Sequence, residues 1–134
     1  MEKLLTILQS MPEYKALLDG LTQNQSAAVT GIGQINRSHL IAGLCHQLHR
    51  PVVLICQDDM AAKRLQEELK AFLGKTAPVL PCRELTLYDT AVVSRAWEQK
   101  RLRQLYDLFN GSEMLQIFTW ESLSQRTMPP HVLQ

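Results

Sequence analysis

Eight residues, Gly31 to Ser38 (GIGQINRS), carry the types and spacing closest to a chemical site in this chain. They lie between a short apolar run and a helical pattern, the setting of a phosphate-binding loop. In the intact motif, G-x-x-x-x-G-K-[ST], backbone N–H groups wrap the phosphates, the Lys neutralises them and the hydroxyl ligates Mg²⁺. Gly31 and Ser38 keep that frame, with Gly33 inside it. Asn36 stands at the second glycine and Arg37 at the lysine. Asn tolerates left-handed backbone, but its side chain crowds the close approach that glycine allows. Arg keeps the charge on a broad planar fork instead of a compact ammonium. Gly31, Gly33, Asn36, Arg37 and Ser38 therefore read as a degenerate phosphate loop. The loop reads first as a glycine-containing strand-to-helix turn without a ligand; the alternative is a weak anion site at a helix N-terminus, and the groups that hydrolysis requires are missing.

Other constellations give less. A metal-binding acid for hydrolysis should end an apolar strand. VVLICQDD offers Asp58 and Asp59 there, which read more simply as helix caps. His46 and His49 are three residues apart with His39 two turns away, but zinc needs three or four converging ligands. The histidines read as a solvated helix face. No G-x-S-x-G elbow occurs, and no base is evident for a cysteine nucleophile. Arg95, Lys100, Arg101 and Arg103 share a helical segment with Trp97 and Tyr106. They spread over about 240° of the wheel, which opposes a nucleic-acid stripe, and Trp97 reads as the anchor of that helix on a sheet. No catalytic residue and no metal site is expected.

The bulk properties agree. The chain has 134 residues, 46% of them hydrophobic and 20% charged, with a net charge of +1. That is a soluble globular composition without the basic face that non-specific DNA binding needs. Cys45, Cys56 and Cys82 have no C-x-x-C spacing and read as reduced thiols of a cytoplasmic protein. No signal peptide or run of ~18 apolar residues is present.

The elements that position the loop follow from periodicity. Residues 1–20 read as a helical segment restarted at Pro12, with Ser10 and Glu13 as a capping box and Gly20 as stop. Residues 25–30 read as the strand feeding the loop, although Ala27 and Ala28 are poor strand formers. Ser38 to His49 is an amphipathic helix. Val52–Cys56 is an unbroken apolar run, as in a strand covered on both faces. A helix capped at Asp58 or Asp59 follows, with Ala61, Ala62, Leu65, Leu69, Phe72 and Leu73 inward and Gly74 closing it. Lys63 with Glu67, and Arg64 with Glu68, are i,i+4 pairs on its solvent side. Residues 77–80 read as a third strand, and residues 82–93 as irregular. A helix from Ser94 to Phe109 stops at Asn110-Gly111. Met114 to Phe118 is a fourth strand, and Thr119 caps a last helical turn through Arg126. Alternating strands and helices predict an α/β fold, a P-loop-NTPase-like (helicase-like) parallel sheet flanked by helices on both faces. The loop would then lie beyond the carboxyl ends of the strands.

With these residues in place, a family resemblance emerges. HLIAGLCHQLHRPVVLI resembles the helix and strand after the phosphate loop of the excision-repair helicase UvrB, x-x-I-A-x-x-x-x-x-L-x-R-P and an apolar strand. Ile41, Ala42, Leu48, Arg50 and Pro51 match without a gap. The chain is still more similar to the UvrB-like N-terminal module of the transcription-repair coupling factors (Mfd). That module carries a decayed phosphate loop, often ending in Arg and Ser as at Arg37-Ser38. Glu84-Leu85, Ser94, Arg101-Leu102, Asn110-Gly111 and Pro129-Pro130 extend the likeness over about residues 15 to 130.

The resemblance implies the first half of a split UvrB-like domain over residues 21–128, after an N-terminal helical segment 1–20. Residues 129–134 would be a tail toward a domain beyond this chain. It implies a scaffold without catalytic residues or a cofactor of its own, since ATP and Mg²⁺ belong to a separate motor. It also implies a parent that displaces stalled RNA polymerase on DNA and recruits UvrA, partners reached through the parent. The alternative from the motif itself is a nucleotide-binding domain of a UvrB-like helicase or another P-loop NTPase.

Overall fold

A computed structural model of the chain describes residues 6–82, 95–111 and 114–127, with positions 129 and 132. The chain divides into two compact units. The first takes its described residues from 1–50 and 67–76, the second from 51–66 and 77–134.

In the first unit, helix α1 (Pro12–Thr22) starts on Pro12, whose missing N–H costs nothing in a first turn. Ser10 does not cap it: its hydroxyl donates to the Ile7 carbonyl at 2.7 Å, so the expected capping box is absent. The helix also runs two residues past Gly20, to Thr22. Tyr14 is buried and donates its phenol to Gln47 Oε1 at 2.8 Å, on helix α2 (Gln34–Leu48). A side chain at Gly43 would meet Leu8 Cδ1 at 2.7 Å and the Tyr14 hydroxyl at 3.1 Å, so glycine permits this close approach. The last turns of helix α3 (Asp59–Leu73) complete the unit with Leu69, fully buried, and Phe72. Gly74 closes α3 with a left-handed φ of 71°.

The strand expected at residues 25–30 does not form. Those residues have no regular structure and are exposed throughout. Two alanines offer too little apolar side chain to hold a strand against a neighbour. Consequently the loop at Gly31 does not follow a strand.

The second unit holds the sheet. Strands β1 (Val52–Cys56) and β2 (Leu115–Thr119) run parallel, in register from Val52↔Leu115 to Cys56↔Thr119. The third strand expected at 77–80 is reduced to a single parallel bridge, Val79↔Ile117. Pro78 has no N–H to give, and Pro81 follows immediately. β2 is buried along its whole length. β1 is not covered on both faces as its composition predicts: Val53 and Ile55 are 45% and 59% exposed. Among the described residues β1 pairs with β2 alone, so it behaves as an edge. The α/β class and parallel pairing thus hold, while helices covering both faces do not hold at β1.

Helix α4 (Arg95–Phe109) ends as expected, with Gly111 left-handed at φ 66° and its N–H on the Leu108 carbonyl at 3.1 Å. Its expected cap, Ser94, and the irregular stretch after Cys82 lie outside the described residues. Thr119 opens helix α5 (Trp120–Ser124) with a reciprocal capping box to Ser122. That helix stops at Ser124, two residues before Arg126. Among the described residues, no helix is long and apolar enough to cross a membrane.

Candidate functional site

The degenerate loop is mostly helix. Gly31 takes a left-handed φ of 75°, Gly33 is extended, and α2 begins at Gln34. Asn36 and Arg37 therefore sit in the first turn of a helix. The Arg37 N–H donates to the Gly33 carbonyl at 3.0 Å, which commits it to the α ladder. A wrapped phosphate draws on several successive N–H groups free of such bonds. No side chain caps the N-terminus of α2. Gly31, Gly33, Asn36 and Arg37 are all exposed.

Ser38 behaves differently. It is 1% exposed, and its hydroxyl donates to the Glu68 carboxylate of α3 through Oε2. Gln34, one turn earlier on the same helix face, donates its amide to Glu68 Oε1 at 3.3 Å. The structure thus gathers Gln34, Ser38 and Glu68 within the first unit. A carboxylate beside the first turns of a helix is favoured by the helix dipole. Nearby, His39 stacks on Phe72 with ring centroids 5.2 Å apart, so it leaves the solvated face expected for it. His46 and His49 stay paired across 6.5 Å. Among the described residues no three His, Cys, Asp or Glu side chains converge for a metal ion.

In the second unit, chemistry-bearing groups meet beyond the carboxyl ends of the strands. Asp58 caps α3 as expected, accepting the Ala61 N–H at 2.7 Å. Cys82 lies 3.8 Å from Glu121 Oε2 and accepts the Gln125 amide at 3.2 Å. Behind it, Arg101 is 5% exposed and spans two backbone carbonyls, Pro81 at 2.7 Å and Ser122 at 2.8 Å. Its guanidinium lies 5.9 Å over the Trp97 ring, and the Trp97 indole N–H donates to the Cys82 carbonyl at 3.2 Å. Trp97 thus ties its helix to the Cys82 backbone, which lies outside both strands. Arg101, one of the basic residues spread around this helix, is a buried clasp, whereas Lys100 and Arg103 are exposed. The spacing of Trp97, Arg101, Gln104 and Leu108 at i, i+4, i+7 and i+11 carried that signal.

The pKa of each of the three thiols is raised. Burial raises the pKa of Cys82, reinforced by the Glu121 and Asp59 charges and opposed by Arg101. Burial also raises Cys45, opposed by Lys75, and Cys56, reinforced by Asp58. Tyr14 is pushed up in the same way, by burial and then by Cys45. An acid whose folded pKa lies above its unfolded value contributes stability below the unfolded pKa and loses it as pH rises through the folded one. The urea midpoint is therefore expected to fall as pH rises above about 8.5, the ordinary thiol value. A midpoint flat to pH ~10 would contradict these shifts.

No protein-family model matches the chain, and no solved structure matches it at a significant level. Two curated proteins do, both transcription-repair-coupling factors. The one from Bacillus subtilis (strain 168) is 23% identical over 132 residues, 97% of this chain. The one from Myxococcus xanthus is 26% identical over 129 residues, 90% of this chain. The chain spans 11% of the length of each.

Proposed function

We propose that this chain, homologous over nearly its whole length to a segment of the transcription-repair-coupling factors, is a non-catalytic scaffold segment of such a factor. The homology supports a place in DNA repair coupled to transcription. In this reading the longer protein displaces stalled RNA polymerase with an ATP-driven DNA translocase and recruits UvrA. The present segment supports neighbouring domains and turns over no nucleotide. Contacts with UvrA, RNA polymerase and DNA are made by the longer protein.

One observation carries the non-catalytic part: Asn36, Arg37 and Ser38, at the motif's last three positions, are built into α2, and the Ser38 hydroxyl is taken by Glu68. ATP does not fit this arrangement. The lysine is replaced, the Arg37 N–H serves the helix, and the hydroxyl that would ligate Mg²⁺ is buried. The ion would need an octahedral shell that retains several waters. Phosphate release from Mg-ATP, measured with and without DNA, is expected at the buffer rate. Turnover above that rate that disappears in Ser38→Ala would overturn the scaffold reading.

A further inference from the structure

We propose that Glu68 is an intramolecular lock on the degenerate loop, which holds it closed independently of the substitutions at Asn36 and Arg37. The proposal rests on the scaffold reading and deepens it. Ser38 is the residue whose hydroxyl the intact motif offers to Mg²⁺. Here that hydroxyl points at Glu68 and is 1% exposed, which leaves no room for a hydrated ion. The other Glu68 oxygen takes the Gln34 amide at 3.3 Å. Both carboxylate oxygens therefore hold the first turns of α2, and with them the helical course of residues that a phosphate cradle needs as loop. The lock also places a negative charge where a polyphosphate would bring more, and like charges a few ångströms apart repel.

This arrangement explains why the lost glycine and lysine are not the whole barrier. Restoring them by Asn36→Gly and Arg37→Lys leaves Ser38 and Gln34 bound to Glu68. The residues come from α2 and α3, 30 and 34 positions apart, so nothing within the loop itself releases them.

The test is calorimetric titration of the full chain with Mg-ATP. The wild type, the Asn36→Gly/Arg37→Lys variant and the same variant with Glu68→Ala are compared. Restoring the loop alone is expected to leave affinity at the wild-type level, and adding Glu68→Ala to strengthen it about tenfold or more. Glu68→Gln, which keeps the side-chain volume, replaces Glu68→Ala if the latter fails to fold. Binding by the loop-restored variant equal to that of the unlocked one, tight or weak, overturns the lock. Binding by the wild type overturns the scaffold reading instead, so the two failures are distinct. The contact itself is checked by melting Ser38→Ala, Glu68→Gln and their combination. Each alone is expected to lower the melting temperature by about 4 °C, and the pair by clearly less than the sum. Strict additivity would overturn the proposal.

Discussion

An Arg101→Met chain is expected to lose about 3 kcal/mol of unfolding free energy in urea denaturation. Arg101 gives one N–H to the Pro81 carbonyl and another to the Ser122 carbonyl, and Ser122 is fully buried. Hydrogen bonds from a charged donor contribute about 1.5–3 kcal/mol each, and the Ser122 carbonyl is left buried without its donor. Methionine retains most of the apolar stem, so the loss isolates the polar contacts from the packing. The contact between the guanidinium and the Trp97 ring adds to the cost. The folded state of a small domain is stable by only about 5–15 kcal/mol. A loss of this size raises the unfolded population about a hundredfold. Arg101→Lys is expected to recover less than half, because one ammonium lacks the fork that reaches both carbonyls. A loss below about 0.5 kcal/mol, as at an ordinary surface site, would show that the clasp does not hold α4 in place.

Gln116→Met is expected to act in the opposite direction and stabilise the chain by about 1–2 kcal/mol. Gln116 is 0% exposed in β2, and neither its amide oxygen nor its nitrogen has a hydrogen-bond partner among the described residues. Burying an unsatisfied amide costs free energy that a thioether of the same length does not. Its strand neighbour Val53, in register on the same face, is 45% exposed, so the orphan amide borders the open part of the sheet. The Gln104 amide nitrogen on α4 is likewise buried without a partner. Thermal and urea unfolding of the single variant both report the sign. A destabilised Gln116→Met chain would mean that the amide is satisfied by an ordered water.

The elements that were legible in the sequence are those whose signals are local. Val52–Cys56 forms a strand because five apolar residues between Pro51 and the aspartates leave little alternative. Asp58, Thr119 and Asn110-Gly111 cap or stop helices where their side chains or backbone preferences require it. Two weak local signals misled. The alanines at 27 and 28 sit in a run too poor to make a strand, and the loop template hid a helix that begins at Gln34 behind an unassisted Gly33.

Long-range contacts were not legible at all. Helical spacing carries no sign of the Ser38 hydroxyl, 30 positions away, that Glu68 accepts. Nothing in the helical wheel points to the partners of Arg101; the carbonyls of Pro81 and Ser122 that it holds lie 20 and 21 positions away. The homology itself rested on the order of several weak pieces along nearly the whole chain. Two coupling factors match the chain over 97% and 90% of its length at 23% and 26% identity.

In the scaffold reading the Gly31–Ser38 segment is structure and not a nucleotide site. The most direct measurement is the melting temperature of the wild-type chain with increasing Mg-ATP. A ligand at a hundred times its Kd stabilises by about 2.7 kcal/mol, which corresponds to a rise of several degrees for a chain of this size. No shift is predicted at any Mg-ATP concentration. A saturable, Mg²⁺-dependent rise that Arg37→Ala abolishes would contradict the account.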